Sequence, residues 1–245
     1  MSQRPRRLLQ QPPELITRYT RLAIRRWMLH KTLALARRIT RPRLQWSERT
    51  RNKVLVSTLK TVAIETARAR RMGFEANTVV LNLGLFFLIA ERDIQAVKID
   101  ALTHPDAWTR GLAARVMLLT IHELDINKVA GRRLRQALED CETPESLKNE
   151  VTAAMRTIRD AQSKAQKKFF NLRNSTIAHR DADASQQYRD IIEIDELEIT
   201  RTAVEFYAGT TKFVEMLPRL LNQMSTAQCM LGQLAAQNAR KKASR

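Results

Sequence analysis

Apolar residues recur at steps of three and four along most of this chain, the period that places them on one face of an α-helix. The clearest run is Val79, Leu83, Phe86, Ala90, Ile94, Val97 and Ala101. A second core helix is predicted through Leu112, Val116, Met117, Leu118, Leu119 and Ile121 to about Asp125, with Pro105 suited to a first helical position. A third carries Leu147, Val151, Ala154, Ile158, Ala161, Ala165, Phe169 and Leu172 on one stripe, opened by Thr143-Pro144. A short basic helix is expected over Arg132 to Cys141. A last pair of helical stretches is expected from Asp195 to Ala239, bent or broken near Pro218. With six Gly and seven Pro in the chain, the punctuation for many short strands is missing, and the fold class is all-α. Four core helices imply an antiparallel bundle.

The N-terminal part reads differently. Residues 1–13 form a basic leader expected to be mobile. From Glu14 to about Ile39, Leu15, Tyr19, Leu22, Leu29, Leu33 and Ala36 follow helical spacing, with Arg18, Arg21 and Arg25 on another face. Pro42 predicts a break, Ser47 an N-cap, and a second basic helix runs to Met72. Gly73 can take the left-handed position past that helix and marks the expected domain boundary. The organisation predicted is a leader over 1–13, a basic helical arm over 14–72, a helical bundle over 73–223, and a C-terminal helix with a basic tail over 224–245.

Charge sharpens this division. Met1 to Met72 holds 19 Lys/Arg against three acids, whereas Gly73 to Ala239 holds 20 against 22. The net charge of +18 therefore belongs to the arm and to the short tail Arg240, Lys241, Lys242 and Arg245. Such a one-sided field attracts polyanions, of which nucleic acid is the commonest inside cells. An acidic protein partner answers the same charge. An Arg-rich amphipathic helix also resembles a membrane-surface helix or a transit peptide. Trp27 and Met28 read instead as packing residues, so a membrane is not the partner expected.

The longest apolar run, Val79 to Ala90, is too short to span a bilayer, and the arginine-crowded start shows no secretory signal. Cys141 and Cys229 belong to no CxxC pair and have no clustered histidines, which argues against a disulfide framework or a zinc site. The expectation is a cytoplasmic protein that uses no metal and no cofactor.

His122-Glu123 is not followed by a second histidine at HExxH spacing and reads as structural, and His30 and His104 have no acid or cysteine at ligand spacing. There is no phosphate-binding glycine loop and no GxSxG elbow. What remains is the polar, basic run from Asn171 to Asp181 at the end of the third core stripe. Arginine grips phosphate as a planar, permanent charge, and histidine moves protons near neutral pH. Arg173 and His179 together suit metal-free cleavage of RNA, in which the ribose 2′-OH attacks phosphorus. The bland alternative is a polar helix end, with Asn174 capping and Asp181 paired to Arg180.

Leu172-Arg173-Asn174 and Ile177-Ala178-His179-Arg180-Asp181 resemble the signature of the HEPN superfamily, an Arg, a polar residue, a few positions and a His. The Ala-His-Arg-Asp ending, with the acidic start at Ile191 to Leu197, is most similar to its abortive-infection U branch. The likeness covers roughly Glu75 to Leu221. It implies a HEPN-like bundle with ribonuclease activity in prokaryotic defence or a toxin system, a homodimeric composite cleft, and an antitoxin or other regulatory protein as a partner. Carried over by position, Arg173 and His179 are the catalytic pair and Asn174 orients them. Lys167, Lys168 and Arg180 beside the motif, with Arg18, Arg21 and Arg25 on the arm, are the expected RNA contacts. Asp181 stands where toxins silenced by adenylylation carry a tyrosine, and the arm has no counterpart in minimal HEPN domains. The alternative function is a non-enzymatic helical module binding nucleic acid or a protein through the arm.

Overall fold

The computed structural model describes the backbone of residues 13–172 and 184–243. Arg173, Asn174, His179 and Arg180 lie outside the described residues, as do the side chains of Arg18, Arg21, Arg25, His30 and Lys168. Among the described residues every regular element is a helix and no strand occurs. In chain order they are α1 (Pro13–Met72), α2 (Glu75–Thr103), α3 (Ala107–His122), α4 (Ile126–Val129), α5 (Gly131–Asp140), α6 (Glu145–Leu172), α7 (Ala184–Ile192), α8 (Glu196–Met224) and α9 (Ala227–Ala243).

The core lies among α2, α3, α6 and α8, the helices whose apolar stripes are longest. Phe87, Leu83 and Ile94 of α2 meet Phe206, Phe213 and Leu220 of α8, with Met117, Leu118 and Ile121 of α3 and Ile158 of α6 fully buried alongside. Phe87 and Phe213 touch edge to face at 5.2 Å, the arrangement aromatic quadrupoles favour. Polar side chains close the helix starts: Asp106 accepts from the Thr109 amide, Asp125 from Lys128, and Asp195 from Leu197 and Glu198.

α1 turns back through Gly73, whose φ of +74° is the left-handed conformation expected of it. The second half of α1 then runs antiparallel along α2. Leu55, Val62 and Ala69 bury themselves against Leu81 and Leu88. Towards the middle of α1 the seam becomes ionic: Arg51 to Glu91 at 2.8 Å, Glu48 to Lys98 at 2.8 Å and Arg41 to Asp100 at 2.7 Å. Residues 41–72 therefore belong to the packed body, and only the part before Arg41 extends past these contacts as an arm.

The break expected at Pro42, the Ser47 cap, a break at Pro218 and the packing of Trp27 and Met28 are corrected. Pro42 lies inside α1, and Ser47 is mid-helix and caps nothing. A proline removes one amide donor and frees the carbonyl four residues back. Here Pro42 is on the exposed side, where water can serve that carbonyl, while the Arg41 and Glu48 ion pairs hold the helix on either side of it. Pro218 is likewise exposed within α8, which continues to Met224 before the chain turns at Ser225. Trp27 and Met28 are 61% and 50% exposed and are not packing residues, because the arm at that point has left the bundle.

The cysteines are also corrected. Cys141, just after α5, and Cys229, in the first turn of α9, form a disulfide across 88 positions. The end of α8 returns the chain to Cys141, where Gln223 donates to the Cys141 carbonyl at 2.9 Å. Separate cysteines were one ground for expecting a cytoplasmic protein, and that ground is removed. Among the described residues no helix is long and apolar enough to cross a membrane.

Candidate functional site

α6 brings the chain to the candidate motif. Leu147, Val151, Ala154, Ile158, Ala161 and Ala165 are all buried, as their spacing predicts, and α6 ends at Leu172, one residue before Arg173. It lies antiparallel to α8, with Glu150 accepting two bonds from Arg219 at 2.6 and 2.9 Å and Lys164 bonded to Glu205 at 2.7 Å. The register of these pairs carries the end of α6 towards the start of α8 at Glu196. Lys167, one of the expected RNA contacts, is exposed on the last turns of α6. The motif segment joins Leu172 to α7, a helix the periodicity did not predict.

The same pole of the bundle gathers further cations and aromatics. Arg110, at the start of α3, donates to Glu196 at 3.3 Å and to the His104 and Pro105 carbonyls at 2.9 and 3.1 Å. Arg37 of α1 comes near enough to feel them, since burial and then the Arg110 charge lower its pKa while Glu196 opposes. Trp108 of α3 and Tyr188 of α7 stack with ring centroids 6.5 Å apart, and the Arg115 guanidinium sits 5.9 Å from the Trp108 ring. Burial lowers the Arg115 pKa. Both aromatic rings are about half exposed. Sequence reasoning did not find this ledge, because 80 positions separate its two rings and neither stands in a motif.

Among the described residues, His104 and His122 fill local roles. His104 accepts from the Asp106 amide at the turn into α3, and His122 lies 3.3 Å from Glu123 at the end of that helix.

At the opposite pole a cavity of about 710 Å³ opens between the end of α1, the start of α2, α5 and α9. Arg70, Glu75, Arg133 and Asp140 line it, together with Gln233, which accepts from the Ala76 amide at 2.9 Å. Its two cations face two carboxylates, so it shows no preference for one sign of charge.

No known protein family, curated protein or solved structure matches the chain.

Proposed function

We propose that the chain is a metal-independent endoribonuclease of a prokaryotic defence or toxin system. The observation that carries this reading is the Arg173-Asn174 to His179-Arg180-Asp181 element, set where the buried stripe of α6 runs out. In the reaction the ribose 2′-oxygen attacks the adjacent phosphorus and the 5′-oxygen leaves. The 2′-OH loses its proton and the leaving oxygen gains one, so the products carry a cyclic phosphate and a 5′-hydroxyl. His179 moves a proton at one of these oxygens, and Arg173 stabilises the charge that builds on the phosphorane. Asn174 orients the pair.

Two features of the surrounding chain support the reading. The cations Arg37, Arg110 and Arg115 lie at the pole towards which α6 leads. The arm adds a dense positive field suited to gathering RNA. An Arg and a His six residues apart stand about 120° apart on an ideal helix, so their convergence calls for a local break or a second chain. The proposed assembly is accordingly a homodimer with the two motifs near its two-fold axis.

The deciding experiment incubates purified full-length protein with RNA in EDTA. Cleavage leaving cyclic phosphate ends, lost on His179→Ala, is expected. Intact RNA, or cleavage that survives His179→Ala, overturns the enzyme reading. The basic arm would then favour the second reading, a non-enzymatic module that binds nucleic acid or a protein.

A further inference from the structure

α1 has two apolar faces, and only one is used. Leu55, Val62 and Ala69 face α2 and are buried. On an ideal helix Ile24, Met28, Leu35, Ile39 and Trp46 fall within about 60° of one another and roughly half a turn from that buried face. All five are at least half exposed, and Trp46 reaches 76%. They make a ridge about 33 Å long on the side of α1 directed away from the bundle.

Its borders are cationic. Between Ile24 and Ser47 the sequence holds seven Lys/Arg and no acid. Lys31 and Arg38 fall on one edge of the ridge and Arg43 on the other, all three exposed. Lys31 also lies 5.8 Å over the exposed Trp27 ring. The first acid after the ridge begins, Glu48, is turned inward to Lys98.

We infer that this ridge docks on an anionic lipid surface. An apolar edge with tryptophan, flanked by long cationic side chains, sinks into the headgroup boundary while its cations reach lipid phosphates. The other polyanion at hand, RNA, would answer the arginines and leave Ile24, Met28, Leu35 and Ile39 in water. A second copy meeting ridge to ridge would bring two acid-free cationic rows together. A ridge on the outward face of one helix can be presented to a plane. The inference stands apart from the ribonuclease reading and survives its failure.

The test mixes full-length protein with phosphatidylcholine vesicles, with and without phosphatidylserine. Sedimentation with the anionic vesicles is expected, along with quenching of tryptophan emission by brominated lipid that falls on Trp46→Phe. Leu35→Glu with Ile39→Glu, at two exposed sites, should lower vesicle partitioning by on the order of tenfold or more. Three results overturn the inference: no sedimentation with phosphatidylserine, partitioning and quenching untouched by these substitutions, or a dimer in light scattering that the Glu pair splits into monomers. The last would assign the ridge to a second copy.

Discussion

Gly209 of α8 lies against Ile158 of α6 so closely that a Cβ there would stand 2.6 Å from the Ile158 Cγ1 and 3.0 Å from its backbone nitrogen. This absent side chain lets two bundle helices approach, and it sits between the Lys164–Glu205 and Glu150–Arg219 bonds that fix their register. Gly209→Ala gains helix propensity of about 1 kcal/mol, but overpacking against a backbone costs roughly 1–3 kcal/mol. A net lowering of the denaturant midpoint is expected. An unchanged or raised midpoint would show that α6 and α8 can part without cost.

Glu91 is a buried carboxylate holding Arg51 at 2.8 Å and Gln95 at 3.2 Å, and its backbone carbonyl accepts from Tyr207. Glu91→Ala strips two donors of their acceptor. Because Arg51 is nearly half exposed, water recovers part of that loss, leaving a cost of about 1–2 kcal/mol. Urea unfolding of the variant measures it, and the loss should shrink in Arg51→Met.

How much of this was legible beforehand depends on the kind of interaction. The stripes of α2 and α6 read directly, because one buried face per helix leaves a period in the sequence. α3 read only in part: Met117, Leu118 and Ile121 are buried as expected, but Leu112 and Val116 are exposed and the small Gly111, Ala113 and Ala114 take their place in the core. The turn at Gly73 read equally well, since only a left-handed residue fits there. Pro42 misled because its meaning depends on whether the freed carbonyl meets water or a neighbour, and on the ion pairs from Arg41 and Glu48 to α2. Trp27 and Met28 misled because composition cannot tell an apolar face with a partner from one without. The Trp108–Tyr188 ledge and the Cys141–Cys229 bond join distant positions that nothing local relates.

The disulfide closes a loop that contains α6, α7 and α8, so it restrains the unfolded chain. Its loss by reduction or by Cys229→Ser should cost about 2–4 kcal/mol. Melting with and without dithiothreitol should separate, and hydrogen exchange should rise over residues 227–243 ahead of α8. Coincident melts would mean that packing of α9, including the Gln233 bond to Ala76, is sufficient to hold it.

For the proposed chemistry, Arg173→Ala and His179→Ala should each lower RNA cleavage by about 10² to 10⁴. If both serve one transition state, the double variant should be little worse than either single one. Multiplying losses would separate their roles. Folding should be retained, checked by circular dichroism.

The packing of α1 also dictates where the arm can be cut. Removing residues 1–72 would strip Leu55, Val62 and Ala69 from Leu81 and Leu88 and destabilise the bundle. Removing 1–36 spares that seam and all three ion pairs. The shorter deletion should keep the melting temperature, weaken RNA binding and flatten its salt dependence. Equal affinity with an equal salt slope would acquit the arm of RNA binding.

A helix of 60 residues is about 90 Å long, and the stretch before Arg41, about 40 Å of it, extends past the contacts with α2. Such a projection adds hydrodynamic drag out of proportion to its mass. A monomer would thus leave a sizing column earlier than a compact globule of the same mass. Whether this protein pairs is a question for the ratio of scattered light to concentration, which weighs the particle and ignores its outline.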